Sequence, residues 1–262
     1  MKKPFLSVIT VVFNNAAHIR DSINSVLSQD YPHIEYLVID GGSTDGTIEI
    51  INEYKEKISV FVSEPDGGIY DALNKGIELA SGDFIGILHS DDLYQDSTVL
   101  SDMVDLIKKE GSEFAFANMA IVEEKSLAVS RYYASQYFRP WILRTGWMPP
   151  HPTCIIKKSL HNEFGLYSTK YKIVGDYDFF VRVFYGRKIC WSHLNRVTIK
   201  MRKGGASNCG FTSKRIIASE IQNSLKCNGV WSHYSLQIIR YLIRLTEFIL
   251  RPSSKINGKL NR

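Results

Sequence analysis

The stretch LSVITVV, Leu6 to Val12, is a mostly apolar run rich in β-branched residues near the start of the chain. A run without polar alternation is typical of a strand that is buried on both faces. Three further short apolar runs follow, at Tyr36–Ile39, Ser59–Val62 and Phe84–Leu88, and apolar residues recur at helical spacing between them. This alternation predicts right-handed crossovers and an α/β fold, with a mostly parallel central sheet flanked by helices.

The length and composition indicate one large globular domain with an appendage. The chain has 262 residues, of which 44% are hydrophobic and 23% are charged, and its formal net charge is +5. The mild positive charge is spread along the chain and carries no nucleic-acid-binding signature, so no nucleic-acid partner is expected. We predict a main domain over residues 4–205 and a basic, amphipathic helical tail over residues 206–262.

The sequence favours a cytoplasmic protein. Its four cysteines are widely spaced and contain no CxxC pair, which predicts reduced thiols; they are Cys154, Cys190, Cys209 and Cys227. The N-terminal apolar run is short, lacks a small-residue cleavage site and ends in Asn14-Asn15, unlike a signal peptide. No stretch reaches the roughly 20 apolar residues that a membrane-spanning helix needs.

Acidic loops follow three of the first four predicted strands, at the sheet edge where parallel α/β sheets bind their ligands. The last of them, HSDD, ends in Asp91 and Asp92. Adjacent carboxylates raise each other's pKa, and a hard divalent cation such as Mn²⁺ or Mg²⁺ would relieve their repulsion. The alternative is a helix-capping segment with two solvated carboxylates.

The other two acidic loops are DGGSTDGT, Asp40 to Thr47, and EPDGG, Glu64 to Gly68. Neither is a Walker loop, since no lysine follows the glycines of the first, and no GxGxxG follows the first strand, which argues against an ATPase and an NAD enzyme. A later segment, GDYDFFVRV, places Asp176 and Asp178 before an apolar helical face. These two carboxylates fit either favourable charges at a helix start or a general base for a substrate hydroxyl.

The four loops together resemble glycosyltransferase family 2. The resemblance is carried, in this order, by SVITVVFNN, YLVIDGGSTDGT, EPDGGIYDALNKGIELASGDFIGILHSDD and GDYDFFVR, over roughly the first 200 residues. It implies the GT-A fold, with a Rossmann-like nucleotide-binding half and an acceptor half. It also implies an inverting, metal-dependent transferase that moves a sugar from a nucleotide-diphosphate sugar to a hydroxyl group.

The resemblance implies a role for each matching position. Phe13 would stack on the nucleotide base, and Asp40 would lie in the loop that holds the nucleoside. Asp91 would hold the ribose, and Asp92 would bind the Mn²⁺ or Mg²⁺ that bridges the diphosphate. Asp176 would be the catalytic base.

One position departs from the family pattern. Many members have two acids in the second loop, but this chain has Gly41 in place of the second one. Asp66 is the candidate that substitutes for it. The expected donor is therefore a nucleotide-diphosphate sugar, with a UDP-sugar favoured.

The sequence variant resembles the bacterial branch that builds O-antigen and related exopolysaccharides, which implies a lipid-linked oligosaccharide or saccharide acceptor. His151 and Trp147 are the acceptor-site candidates, with a structural histidine and a core tryptophan as the alternatives. Arg202 and Lys203 either close over the diphosphate or are surface charges.

The tail segment LQIIRYLIRLTEFILR, Leu236 to Arg251, is amphipathic and cationic. Such a helix is suited to lie in a membrane interface, which would place the protein on the inner face of the plasma membrane. The alternative is a helix that packs on its own domain or on a second subunit.

Two other function classes compete with a transferase. A sugar nucleotidyltransferase shares a similar sheet and acidic metal site, but the loop FNNAAHIRD after the first strand lacks the glycines of that class. A catalytically degenerate nucleotide-sugar binding protein is the second alternative. The presence of Asp91, Asp92 and Asp176 together argues against it.

Overall fold

The computed structural model of the chain describes residues 3–204 and 210–249. The sheet strands within them are β1 (Leu6–Val12), β2 (Ile34–Asp40), β3 (Val60–Ser63), β4 (Phe84–Ile87), β5 (Leu93–Tyr94), β6 (Phe114–Val122), β7 (Val129–Tyr133), β8 (Ile155–Lys157) and β9 (Trp191–Arg202). The α-helices are α1 (Ile19–Leu27), α2 (Thr47–Asn52), α3 (Ile69–Leu79), α4 (Val99–Glu110), α5 (Lys158–Phe164), α6 (Gly175–Gly186), α7 (Gly210–Cys227) and α8 (Gln237–Ile249).

The nine strands form one sheet in the order β3-β2-β1-β4-β8-β6-β9-β5, and β7 pairs with β6. The first four strands are parallel, which confirms the alternation predicted from the sequence. The second half is mixed, because β8 pairs antiparallel with both β4 and β6, whereas β6 and β9 are parallel. Strand β8 thus joins the two halves of the sheet.

Strand β1 is buried along its whole length, because helices cover both faces of the sheet. Ile9 packs in one apolar cluster with residues of α3, and Val8 packs in a second cluster with residues of α1 and α4. Full burial of one such side chain stabilises the fold by roughly 1.5–3 kcal/mol. This mostly apolar run therefore favours a central position for β1 in the parallel half.

The C-terminal helix α8 has an unusual orientation. Its polar residues Gln237 and Arg240 are buried against the domain, and Gln237 Nε2 donates to the carbonyl oxygen of Ala218 at 3.0 Å. Ile238 and Leu242 are 59% and 56% exposed. In this part of α8, Ile238 and Leu242 therefore point outward, whereas Ile243 packs on the core of the domain.

The predicted domain boundary between residues 205 and 206 lies outside the described residues, as do Cys209 and the end of the predicted tail helix at Arg251. None of the described helices is both long enough and apolar enough to cross a bilayer.

Candidate active site

The loops after β1 to β4 converge at the carboxyl edge of the parallel strands. Phe13, directly after β1, is 63% exposed, so its ring is open to a ligand. Asn14 and Asn15 connect this loop to its neighbours. Thr44 N–H donates to Asn14 Oδ1 at 2.8 Å, and Asn15 Nδ2 donates to Ser90 Oγ at 2.8 Å.

Asp40 is fully buried at the end of β2. Its carboxylate accepts the N–H groups of Gly42 and Ser43, both at 3.0 Å, and the hydroxyl groups of Ser43 and Ser63. The Asp40 oxygens are therefore occupied by donors of the protein itself, and the role of this loop in holding a nucleoside stays a prediction. The four hydrogen bonds of Asp40 shape the loop, because a buried carboxylate needs donors around it.

Asp66 occupies the space beside Gly41. A Cβ atom on Gly41 would lie 2.7 Å from Asp66 Oδ2 and 3.4 Å from Phe13 Cδ2. Real Cβ atoms essentially never approach other atoms as closely as 2.7 Å. The glycine therefore leaves room for the Asp66 carboxylate next to the exposed Phe13 ring.

Asp92 is a buried carboxylate with no partner of its own. It is 1% exposed, and neither of its side-chain oxygens has a hydrogen-bond partner among the described residues. Burial raises the pKa of Asp92 well above its usual range, the charge of Asp91 adds to this, and Arg202 opposes it. Unpaired carboxylate oxygens in such a setting are energetically costly unless a ligand supplies positive charge.

These features fit a divalent cation. Hard cations take carboxylate oxygens and often only one or two protein ligands, the rest coming from substrate phosphates. Asp92, with Asp91 beside it, supplies such a partial ligand set. The described residues contain no group of three or more His, Cys, Asp or Glu side chains that would enclose a metal without a substrate.

Arg202 is the positive group next to this acidic pair. It is buried, and its Nη1 donates to the carbonyl oxygen of Asp91 at 3.1 Å while its Nη2 donates to Asp21 Oδ2 at 2.6 Å. Lys203 instead pairs with Glu123 at the surface. Of the two basic residues singled out in the sequence, only Arg202 lies at the acidic pair in the described structure.

Asp176 lies in the first turn of α6. Its Oδ1 accepts the N–H of Tyr177 at 2.8 Å and faces the Tyr70 hydroxyl at 3.1 Å. Burial raises the pKa of Asp176 to about 6, although these two donors act in the opposite direction. A carboxylate with a pKa near the working pH is suited to act as a general base.

Asp178, two residues later, has a structural position. It is buried and accepts hydrogen bonds from Ser224 Oγ at 2.8 Å, Asn228 Nδ2 at 3.2 Å and Arg182 Nε at 2.9 Å. Its carboxylate joins α6 to α7. The structure therefore distinguishes Asp178 from Asp176, the acid to which the resemblance gives the role of base.

Aromatic side chains connect the acidic pair to Asp176. The ring centroids of His89 and His151 are 6.3 Å apart, and His151 Nε2 lies 2.8 Å from the Tyr167 hydroxyl. Tyr167 packs beside Tyr70, with ring centroids 6.1 Å apart. Side-chain packing is thus continuous from the strand ends to α6.

The acceptor-site expectation for His151 is corrected by its burial. It is 5% exposed, it bonds to Tyr167, and burial lowers its pKa to about 3. His151 is therefore a neutral, structural histidine. The His151–Thr153 turn precedes β8, whose insertion between β4 and β6 carries it inward.

Trp147 also differs from the expectation. It is buried, with its ring packed against Tyr133 and Phe138, so it offers no face to a sugar. Trp141, in the short helical segment before it, is 57% exposed. Neither Trp141 nor Tyr70 was predicted from the sequence. The one signal for Tyr70 in the sequence is its position directly after Gly67-Gly68-Ile69 in an acidic loop.

The chain matches the model of the family described as glycosyl transferase family 2 over residues 7–171. It is 32% identical to an uncharacterized glycosyltransferase of Mycobacterium tuberculosis over 187 residues, 68% of each protein. It is also 32% identical over 133 residues to TuaG of Bacillus subtilis, named as a candidate teichuronic acid biosynthesis glycosyltransferase. That match covers 50% of this chain and 52% of TuaG.

Solved structures share the architecture. S. aureus TarS residues 1–349, in complex with UDP-GlcNAc, aligns with a TM-score of 0.64 and 23% identity, over 84% of this chain and 67% of that fragment. The mannosyltransferase PcManGT of Pyrobaculum calidifontis, in complex with GDP-Man and Mn²⁺, aligns with a TM-score of 0.63 and 17% identity, over 95% and 73% of the two chains. At this level of identity, both likenesses concern the fold alone.

Proposed function

The chain belongs to glycosyltransferase family 2, and on that premise we propose that it is an inverting transferase of bacterial surface-polysaccharide synthesis. It takes a sugar from a nucleotide-diphosphate donor, with a UDP-sugar favoured, and transfers it to a hydroxyl of a saccharide or lipid-linked acceptor. The observation that carries the proposal is the Asp176 carboxylate, whose Oδ1 is held by the Tyr177 N–H at 2.8 Å and by the Tyr70 hydroxyl at 3.1 Å, and whose pKa burial raises to about 6. Packed aromatic side chains connect it to the strand end that carries Asp92, whose buried carboxylate oxygens have no hydrogen-bond partner among the described residues.

The donor half of the proposal rests on three side chains. The exposed ring of Phe13 stacks on the base, and the carboxylate of Asp66 accepts hydrogen bonds from the base edge beside it. Asp91 accepts from the ribose. Asp40 supports this pocket indirectly, because its hydrogen bonds with Gly42 and Ser43 hold the loop that contains Gly41.

Asp92, with Asp91 beside it, holds Mn²⁺ or Mg²⁺ in this proposal. When bound, the cation supplies positive charge next to the departing diphosphate. Arg202 contributes a fixed positive charge at the same place, since it is anchored by Asp21 and by the carbonyl oxygen of Asp91. A preorganised charge of this kind costs no reorganisation during the reaction.

Asp176 performs the proton transfer. The acceptor hydroxyl gives its proton to this carboxylate as its oxygen attacks the anomeric carbon from the face opposite the leaving diphosphate. One direct displacement needs no covalent enzyme intermediate, so no further nucleophile is required. The bond to the nucleoside diphosphate breaks as the new glycosidic bond forms, which inverts the anomeric centre.

Attachment to a membrane surface is the final part of the proposal. Ile238 and Leu242 point outward from α8, and exposed Trp141 and Arg144 lie in the helical segment Pro140–Thr145, which α8 contacts. Apolar and aromatic side chains beside arginines suit the interface of an anionic bilayer. A lipid-linked acceptor would be presented at that surface.

A donor panel tests the proposal. The purified chain is incubated with Mn²⁺ and each common nucleotide sugar, and released nucleoside diphosphate is measured, with Asp176→Asn as the matched inactive control. Release from one donor by the wild type, but not by Asp176→Asn, is the expected result and identifies the sugar. Nucleotide binding in calorimetry without turnover, even with saccharide acceptors added, would favour the degenerate binding protein instead.

A further inference from the structure

The hydroxyl of Tyr70 lies between two acceptors. Its oxygen is 2.5 Å from the carbonyl oxygen of Ile173 and 3.1 Å from Asp176 Oδ1. A tyrosine hydroxyl has one hydrogen, so it donates to only one of them at a time. An ionised carboxylate is the stronger acceptor, and ionisation of Asp176 therefore draws the hydrogen from Ile173 to Oδ1.

The Tyr70 ring is held beside Asp176 by close packing. It is buried, and it lies against the backbone of Gly175, the residue before Asp176. A Cβ atom on Gly175 would lie 2.8–2.9 Å from three ring carbons, a distance that real Cβ atoms essentially never show. Gly175 thus gives the ring the space it needs next to Asp176.

The Ile173 carbonyl is fixed from the other side by α7. The carboxylate of Glu220 accepts the backbone N–H groups of Lys172, Ile173 and Val174 at 2.9, 3.1 and 3.2 Å. Three charge-assisted hydrogen bonds on consecutive residues fix the orientation of this loop. Residues 172–174 and α7 lie beyond residue 171, where the family match ends.

We infer that Tyr70 is a positioning residue for Asp176, and that Glu220 supports it by holding the loop that carries the Ile173 carbonyl. The inference rests on the proposed function, because it concerns the same base. The hydrogen bonds from Tyr70 and from the Tyr177 N–H both reach Oδ1, so Oδ2 is the oxygen that meets the acceptor hydroxyl. Tyr70 thereby sets both the orientation of the carboxylate and the pH at which it ionises.

Among the described residues, the buried side chains of Cys154 and Tyr167 are titratable and lie close enough to interact with the charge of Asp176. Burial raises the pKa of both well above its usual range, so both are neutral at neutral pH. Neither changes charge in the pH range in which Asp176 titrates. A change in the ionisation of Asp176 after loss of the Tyr70 hydroxyl is therefore attributable to that hydroxyl.

Tyr70→Phe removes the hydroxyl and keeps the ring that packs on Gly175. We expect kcat to fall about tenfold, while the donor KM stays within about twofold of wild type. The acidic limb of the kcat–pH profile should move upward by about one pH unit, as expected for the loss of one hydrogen bond to an ionised group. A purely structural tyrosine would lower thermal stability but leave the limb in place.

Glu220→Gln tests whether Glu220 holds the loop that carries the Ile173 carbonyl. The matched control is Glu163→Gln, because Glu163 is an exposed acid that is paired with Arg187. We expect a smaller upward shift of the same limb, and a still smaller effect of Glu220→Gln in the Tyr70→Phe background, because coupled residues are not additive. In Glu163→Gln, we expect the acidic limb of the kcat–pH profile to stay where it is in the wild type.

The outcomes separate this inference from the proposed function. If Asp176→Asn abolishes transfer while Tyr70→Phe keeps the wild-type limb, the positioning role of Tyr70 is wrong and the base assignment stands. If Asp176→Asn transfers sugar normally, the base assignment itself is wrong. Should Tyr70→Phe not fold, an unchanged limb in folded Glu220→Gln overturns the inference.

Discussion

Asp66 Oδ2 lies 2.7 Å from the point at which a Cβ atom on Gly41 would stand, beside the ring of Phe13. A carboxylate from the loop after β3 thus occupies the place that the second loop would otherwise fill with its own side chain. A Cβ atom at residue 41 and the Asp66 carboxylate, in its present position, would occupy the same space. The position of the acid at residue 66 therefore depends on the glycine at residue 41.

Asp66→Ala should raise the donor Kd about tenfold, because it removes a hydrogen bond from a charged acceptor to the base. Isothermal titration calorimetry with the nucleoside diphosphate measures this. Glu78→Ala, an exposed acid on the same helix as Tyr70, is the matched control. Equal affinity of Asp66→Ala and wild type would place base recognition elsewhere.

Gly41→Ala should weaken nucleotide binding by a similar factor while thermal stability changes little. The atom that the new methyl group meets most closely is the end of the flexible Asp66 side chain, so Asp66 has to shift while the backbone can stay in place. Binding and thermal unfolding measured on the same sample distinguish the two effects. A large loss of stability would show that the close approach at Gly41 is structural.

Asp92→Asn should remove the dependence of nucleotide affinity on Mn²⁺. Wild-type protein should gain thermal stability from Mn²⁺ plus nucleotide, because a ligand that binds only the folded state stabilises it. Asp105→Asn, an exposed acid on α4, should behave as wild type. Persistence of the Mn²⁺ effect in Asp92→Asn would contradict the metal assignment.

The pH dependence of transfer should follow Asp176. A base must be ionised to accept a proton, and its pKa is raised to about 6, so kcat should rise with pH through about 6 and level off above it. Asp176→Asn should lower kcat by roughly 10²–10⁴-fold, with donor affinity unchanged. The range from pH 5 to pH 7 extends about one unit to either side of the expected pKa. A kcat–pH profile that is flat over this range would exclude Asp176 as the base.

Asp178→Asn should destabilise the fold by about 3 kcal/mol, because it leaves the Arg182 charge without its partner beside Ser224 and Asn228. Urea unfolding measures the loss. Ser224→Ala removes one neutral donor from the same carboxylate and should cost about 1 kcal/mol. The acidic limb of the residual activity of Asp178→Asn should stay where it is in the wild type, since Asp178 is not the base.

The double variant Ile238→Ser/Leu242→Ser should reduce binding to vesicles that contain phosphatidylglycerol, because it removes apolar surface from the outward face of α8. Sedimentation with such vesicles measures it, and phosphatidylcholine vesicles test the role of charge. Leu79→Ser, at another exposed leucine, is the control for general loss of surface hydrophobicity. Unchanged sedimentation would mean that α8 is not the contact.

The parallel half of the fold was predictable from the sequence because its strands are buried on both faces and read as apolar runs. The position of Asp91 and Asp92 followed from the same reasoning, since they come directly after such a run. His151 and Trp147 were less predictable, because their burial depends on β8 entering the sheet between β4 and β6. Tyr70 was not predictable, because its partners at Ile173 and Asp176 lie more than a hundred positions along the chain.

The pairing of β6 with β9 also bears on how the molecule is made. Strands β1 to β4 pair with one another. Strand β6 pairs with β9, for example Phe114 with Trp191, and this pairing can form only after β9 has been synthesised. Chains emerge from the ribosome N-terminus first, and pairings between distant segments form slowly. We expect amides of β1 and β2 to become protected in pulsed hydrogen exchange before those of β9. In a nascent chain that folds in this order, the loops of the proposed nucleotide pocket would form before Asp176, the proposed catalytic base, is in place.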